Sequence, residues 1–437
     1  MTRSRTTRRL VIQKPTILLL GGSAQNSDFV DEISRLNLRL VVVDKNPTCA
    51  LAPTADRFIN SDCRDTEAIL EGLGSWRETI FAVVTFSELT ESVAQLSQDL
   101  NLPGATKAAA ELFQSKVEAK KVFVAKGVPT PPAFVADQIN WETLSPKTPS
   151  IEIGAAERWI LKPTSESGGR GISFHPTLFA CLKEWARKEQ PSRWLAEQVV
   201  DGIHIDGNAF IDSNGEFVRL GLSQRTFGGS GSREESVETP PRISAQLSEQ
   251  IYRAIEKGAR AAGVSFGPVK ADVIASEQGV FVLEMATRLH GPKLSVTAFT
   301  HVYRNYFDVI FMLYWEAISS SDLLEERGPF STSSELKFSG KTFLSVALTK
   351  PAGRVTRISR MVPFLNAPSL PRVVIFVGEN DLIEDDKSRE SAIGFVFGAF
   401  EDREFGIRCV RKICRIAERG IAISKLNDMS QIKGSFT

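Results

Sequence analysis

The chain is poor in the residues from which disulfide frameworks and zinc sites are made. Its 437 residues include five cysteines, Cys49, Cys63, Cys181, Cys409 and Cys414, and no Cys-x-x-Cys pair. An odd, scattered set of this kind excludes a zinc knuckle and a disulfide scaffold, and it points to a reducing, cytoplasmic setting. Histidine is scarcer still, at four residues. Neither sign of charge prevails. The net charge of +1 gives no reason to expect nucleic acid or an acidic membrane surface as a partner. No uninterrupted apolar run reaches the ~20 residues of a membrane span. Internal repeats and extended low-complexity tracts are also missing. Residues 1–14, MTRSRTTRRLVIQK, lack the apolar core and cleavage site of a secretory signal. They read as a disordered basic tail, with an organelle-targeting peptide as the other reading.

What remains is an ordinary globular balance, 42% hydrophobic and 24% charged, in a chain long enough for two to four domains. One stretch stands out, residues 158–174, RWILKPTSESGGRGISF. Trp159, Ile160 and Leu161 read as an apolar strand that delivers Lys162 and Pro163 into a loop holding Ser165, Ser167, Gly168, Gly169 and Gly171. Ile172–Phe174 then takes the chain back. Glycines and serines leave backbone N–H groups free to close over an anion, and a lysine at the mouth supplies a point charge suited to phosphate. Taken alone, the stretch fits equally a surface hairpin with an exposed lysine.

Upstream, TILLL (16–20) meets Gly21-Gly22, and RLVVV (39–43) ends on Asp44. Buried strand, glycine turn, helix and buried strand predict a doubly wound parallel sheet, with further strands at Phe58–Asn60 and Phe81–Phe86. The turn GGSAQN lacks the third glycine of a dinucleotide fingerprint, so it reads as architecture, and a dinucleotide-dependent oxidoreductase is a distant alternative. Ser115-Lys116-Val117-Glu118 has the form of a capping box and predicts a helix from Lys116, closed by Gly127 and Pro129. Such a helix start aims Lys116 and free N–H groups outward together, as a phosphate site requires.

Beyond the 158–174 stretch, the pattern predicts a helix over Pro176–Gln190 and strands over Trp194–Val200, Ile203–Ile211 and Glu216–Leu222. Residues 223–241, SQRTFGGSGSREESVETPP, are polar and glycine-rich and predict a mobile loop. A helix over Leu247–Ala262 precedes two strands, Val269–Ala275 and Gly279–Met285, whose short turn can set Asp272 beside Glu284; the other reading is a pair of exposed strand acids pointing apart. Two touching carboxylates repel unless a cation lies between them, and oxygen ligands suit Mg²⁺. An aromatic helix within 301–327 and an α+β segment from Lys341 onward complete the chain.

Assembled in this order, the residues resemble the ATP-grasp superfamily, and among its members the carboxylate–amine (L-amino acid) ligases. The resemblance covers residues 16–310. It implies a Rossmann-like N-terminal domain (15–110), an ATP-grasp domain (111–330, with a lid subdomain at 125–200) and a C-terminal α+β accessory module (335–437). It also implies ATP and Mg²⁺ as cofactors, with Mn²⁺ as a substitute metal. Lys116 and Lys162 would hold the phosphates, with Ser167, Gly168, Gly169 and Gly171 in the lid over them. Glu197 would face the adenine amino group, and backbone atoms of Gln198 and Val200 would meet the ring edge. The usual ribose glutamate is His204 here. Asp272 and Glu284 would be the metal ligands, and Arg288 would steady an acyl phosphate or a substrate carboxylate. Many relatives carry an asparagine where this chain has Ala286, which leaves a second metal differently or more weakly held.

The implied activity joins a small carboxylate and an amine, both of amino-acid type, into an amide at the expense of ATP. A homodimer is compatible with this reading. The alternatives are a carboxyphosphate-type carboxylase or carbamoyl phosphate synthase relative, and a non-catalytic nucleotide-binding protein. His290, beside the metal segment, is the histidine most exposed to a functional role.

Overall fold

A computed structural model describes residues 14–147, 157–165, 171–228, 233–319, 335–359, 371–383 and 392–424. Ser167, Gly168 and Gly169 lie outside the described residues, as do positions 1–13 of the basic N-terminal stretch.

The first sheet is parallel, in the order β3-β2-β1-β4, from β1 (Thr16–Leu20), β2 (Arg39–Asp44), β3 (Arg57–Asn60) and β4 (Ile80–Thr85). All five residues of β1 are buried, as in a strand covered on both faces. Helices α1 (Ser27–Arg35), α2 (Thr66–Leu73) and α3 (Thr90–Asp99) alternate with the strands. The turn after β1 serves packing. A Cβ on Gly22 would sit 2.4 Å from Cys49 Sγ, and Gly21 has φ +101°. The Asp44 carboxylate accepts the N–H groups of Gly22 at 2.8 Å and Asn46 at 2.9 Å. An acid spent on its own turn is not aimed at a ribose.

Helix α4 (Lys107–Gln114) leads into α5 (Lys116–Ala125). Ser115 Oγ accepts the Glu118 N–H at 3.3 Å, which is half of a capping box, because the Glu118 carboxylate turns to Lys121 at 2.9 Å. Gly127, at φ +63°, follows the end of α5.

The second sheet runs β5-β10-β8-β9. Its strands are β5 (Ala133–Val135), β8 (Trp159–Pro163), β9 (Ser173–His175) and β10 (Trp194–Gln198). A two-strand ribbon of β6 (Ile139–Asn140) and β7 (Ser145–Pro146) lies within this segment, as does helix α6 (Leu178–Trp185). Trp159, Trp185, Phe134 and Leu161 form its core.

The third sheet is antiparallel and eight strands wide among the described residues, in the order β15-β14-β11-β12-β13-β16-β20-β18. It comprises β11 (Ile203–Ile211), β12 (Phe217–Gly228), β13 (Arg233–Thr239), β14 (Gly267–Ser276), β15 (Gly279–Ala286), β16 (Thr342–Thr349), β18 (Arg372–Ile375) and β20 (Ala392–Phe400). Helix α7 (Ala245–Ala261) packs on one face. On the other face, α8 (Phe299–Val302) and α9 (Tyr306–Ser319) carry the aromatic core. Phe307 meets Phe29 at 5.1 Å, and Trp315 meets Phe81 at 5.4 Å, which fastens the first sheet to the third. A small sheet of β17 (Gly353–Ile358), β19 (Leu382–Ile383) and β21 (Ile421–Ser424) lies near helix α10 (Arg403–Arg419).

Among its described residues, the segment 223–241 is largely strand where a mobile loop was predicted. Its residues extend β12 to Gly228 and form β13, and positions 229–232 lie outside the described residues. The polar side chains that suggested a loop hydrogen-bond to each other across the ladder. Ser223 Oγ and Thr239 Oγ1 are 2.6 Å apart, and Thr226 and Ser236 hydroxyls 2.7 Å. Glu234, Val237 and Thr239 are buried. Because β13 pairs with β16, the C-terminal strands continue the same sheet.

Candidate active site

Strand β8 brings Lys162 into the interior, and β10, paired antiparallel to it, brings Glu197. Lys162 Nζ lies 2.6 Å from Glu197 Oε1. The other carboxylate oxygen is 2.5 Å from the ammonium of Lys120, one turn beyond Lys116 on α5. Lys120 also donates to Thr130 Oγ1 at 2.5 Å, and Thr130 donates to the Val282 carbonyl of β15 at 2.8 Å. Burial pushes Lys120 down to about 8 despite the neighbouring Glu197. Burial alone would raise Glu197, but the two ammoniums overcome it and hold the carboxyl below its ordinary value. Both oxygens of Glu197 are thus engaged by lysines. The Gln198 N–H is donated to the Pro132 carbonyl at 2.8 Å, and Val200 follows, half-buried. Gly171, at φ +70°, opens the return into β9.

Three carboxylates form a row on the third sheet. Asp206 of β11 stands opposite Asp272 of β14, which stands opposite Glu284 of β15. Directly opposed residues share a face, so the row follows from register alone. Lys270, two residues before Asp272, puts its ammonium 3.1 Å from Asp272 Oδ2 and 3.1 Å from Glu284 Oε1. Lys116 Nζ is 3.4 Å from Glu284 Oε2. Arg225 of β12 pairs with Asp206 and lies 3.3 Å from Asp272 Oδ1. Burial opposes ionisation of Asp272 and Glu284, but Lys270, with Arg225 for the first and Lys116 for the second, more than offsets it. Asp272 falls well below the usual carboxylate range and Glu284 to about 2. Asp206, fully enclosed, is raised by burial.

His290 Nε2 is 3.6 Å from Asp272 Oδ1 and 4.0 Å from Asp206 Oδ1. Burial holds this ring neutral. Its backbone N–H is held by Asn208 Oδ1 at 3.0 Å. His204 sits on β11 with its ring edge on Phe227 at 4.7 Å, and burial lowers it to about 4. Arg288, 6% exposed, donates to the Leu289 carbonyl at 2.9 Å and pairs with Glu88 from the loop after β4. Lys293 pairs with Glu234 of β13 and stands 3.7 Å from the Phe395 ring centre. Segments 223–241 and 288–293 therefore meet in this ion pair.

The donor set suits a hard divalent cation. Asp272 and Glu284 are adjacent, ionised and partly exposed, and Asp272 Oδ1 is buried without a hydrogen bond. Sequence reasoning brought Lys116, Lys162, Asp272, Glu284 and Arg288 to this region but missed Lys120, Asp206 and Lys270. Helical spacing from Lys116 and the period-two step from His204 and from Asp272 were the signals for them.

No family model matches the chain. Among curated proteins it is 24% identical over 313 residues to the uncharacterized protein y4rH of Sinorhizobium fredii, covering 66% of this chain. It is also 24% identical over 120 residues to IQ motif-containing protein H of Danio rerio, covering 25% of this chain. The chain spans 61% of the length of the first and 11% of the second.

Solved structures match over nearly the whole chain. The L-amino acid ligase of Bacillus licheniformis is 15% identical with a TM-score of 0.70, covering 95% of this chain and 99% of that one. The phosphoribosylglycinamide synthetase of Anaerococcus prevotii is 17% identical at 0.66, covering 94% and 99%. The biotin carboxylase of Campylobacter jejuni is 17% identical at 0.63, covering 94% and 92%. These neighbours are ATP-grasp ligases, and the chain has the ATP-grasp fold.

Proposed function

We propose that this chain, built on the ATP-grasp fold, is an ATP-dependent carboxylate–amine ligase. The observation that carries the reading is the 3.4 Å approach of Lys116 to Glu284, which sets the lysine-bearing helix against the carboxylate pair. Cations for phosphate and oxygens for a metal thereby line one site.

In this reading Lys116 and Lys162 hold the ATP phosphates, with Ser167, Gly168, Gly169 and Gly171 in the lid over them. Glu197, Gln198 and Val200 lie at the adenine and His204 near the ribose. Asp272 and Glu284 carry Mg²⁺, or Mn²⁺ in its place, which when bound neutralises phosphate charge. Several solved neighbours were obtained with ADP, one of them with its magnesium salt, which supports nucleotide and metal use. A substrate carboxylate oxygen attacks the γ-phosphorus, ADP leaves, and an acyl phosphate results. An amine then attacks the acyl carbon and phosphate leaves, with loss of one proton. Positioning and charge neutralisation are the protein's part. Arg288, braced by Glu88, steadies the acyl phosphate or the carboxylate.

ADP release across pairs of amino acids, with mass spectrometry of the products, tests the reading. Amide product with ADP supports it. ADP formed with bicarbonate alone would favour the carboxyphosphate alternative, which the biotin carboxylase neighbour keeps in play. ATP bound tightly with no ADP formed across the panel would make the chain a nucleotide-binding protein instead.

A further inference from the structure

We propose that the Lys270 ammonium is a resident cation of the nucleotide site, standing between Asp272 and Glu284 where a second divalent ion would stand, so that the site takes one divalent ion with its nucleotide. This rests on the nucleotide-binding reading above and says how its metal requirement is met.

Three observations carry it. The first is position. Lys270, Asp272, Glu284 and Ala286 form a square on one face of β14 and β15, with Lys270 opposite Ala286 and Asp272 opposite Glu284. Ala286 contributes only a methyl group, so the long lysine side chain meets little at that corner. The second is symmetry. The ammonium is 3.1 Å from one oxygen of each carboxylate, and Lys270 is 7% exposed, so this is an interior contact and not a solvated surface pair. A divalent ion bridging the same two oxygens needs contacts near 2.0–2.1 Å for Mg²⁺, and the ammonium already fills that place.

The third is charge. Asp272 and Glu284 bring two negative charges, and Lys270 and Lys116 bring two positive ones within 3.4 Å. Arg225 is shared with Asp206, so that pair adds nothing net. A second divalent ion would add two positive charges within reach of the Lys270 ammonium, and like charges at that distance repel. The oxygens outside those two 3.1 Å contacts are Asp272 Oδ1, buried and 3.3 Å from Arg225, and Glu284 Oε2, 3.4 Å from Lys116, and the single ion that arrives with the nucleotide takes its protein ligands from them.

The test counts ions. The full chain is saturated with ADP, bound Mn²⁺ is counted by electron paramagnetic resonance, and bound nucleotide is measured in the same sample with labelled ADP. Wild type is expected to hold one Mn²⁺ per nucleotide. Lys270→Met and Lys270→Gln are expected to hold two, the second at least tenfold tighter than any second ion in wild type. Two ions per nucleotide in wild type would overturn the proposal while leaving the nucleotide-binding reading intact. One ion in a folded variant would do the same. Wild type that binds no nucleotide would overturn the reading and the proposal together. Should neither variant fold, the wild-type count decides alone.

Discussion

The two charged ends of the site are mirror images in stoichiometry. At one end a single carboxylate, Glu197, lies between two ammoniums, Lys120 and Lys162. At the other a single ammonium, Lys270, lies between two carboxylates, Asp272 and Glu284. The first triad carries net positive charge and is deeply buried, and the second carries net negative charge and is partly open. One surplus suits phosphate and the other a metal ion. The difference also separates stability from chemistry. A buried charge stripped of its partner costs several kcal/mol, whereas a half-open one recovers water.

The sharpest way to break that contrast is to remove the groups given a direct role. Lys162→Ala and Glu284→Ala are each expected to lower ATP turnover by roughly 10³-fold or more, while circular dichroism shows a folded protein. Turnover surviving in either would sink the assignment. Glu197→Gln acts differently. It leaves Lys120 and Lys162 facing each other without a carboxylate, and chemical denaturation is expected to show a loss of about 3–5 kcal/mol. Asp272→Asn, at the open end, is expected to cost only about 1–2 kcal/mol while abolishing turnover. Equal stability losses would erase the distinction between the two ends.

A pH profile sharpens the buried end further. Lys120 titrates near 8 in the fold against 10.5 for the ordinary side chain, so the unfolded chain binds more protons between those values. Its contribution to stability therefore rises across pH 8 to 10.5 and is lost as the pH falls through 8. In Lys120→Met that rise should disappear relative to wild type, and an unchanged slope would show Lys120 to be fully protonated throughout. The smallest effect on nucleotide binding belongs to the N-terminal sheet. Gly22→Ala, pressed against Cys49 Sγ, should cost about 1–3 kcal/mol and leave the ADP dissociation constant unaltered. Weaker ADP binding in that variant would reopen the dinucleotide-like turn as a nucleotide contact.

Much of this arrangement was legible from local pattern. The strand ending in Lys162, the Ser115 cap of α5 and the Asp272–Glu284 pairing each depend on neighbours a few residues away or on one short turn. The misreadings were of polar groups that satisfy each other at long range. Residues 223–241 look like a loop by composition because the partners of Ser223, Thr226 and Glu238 lie across the ladder or on α10, as with the Arg403–Glu238 pair. Asp206 was missed for the same reason, because its partner Arg225 lies across the ladder. Lys270, two residues before Asp272 on the same strand, puts its ammonium 3.1 Å from an oxygen of each carboxylate, a contact that the pairing of Asp272 with Glu284 did not by itself reveal.

The most direct test of the ligase account is a hydroxylamine trap. Full-length protein is incubated with ATP, Mg²⁺, hydroxylamine and a panel of amino-acid carboxylates, beside Glu284→Gln as the control. An acyl phosphate intercepted by hydroxylamine gives a hydroxamate, and the account predicts hydroxamate matched by ADP in wild type and neither in the variant. ADP released without hydroxamate from any acid, or equal yields in wild type and Glu284→Gln, would contradict it.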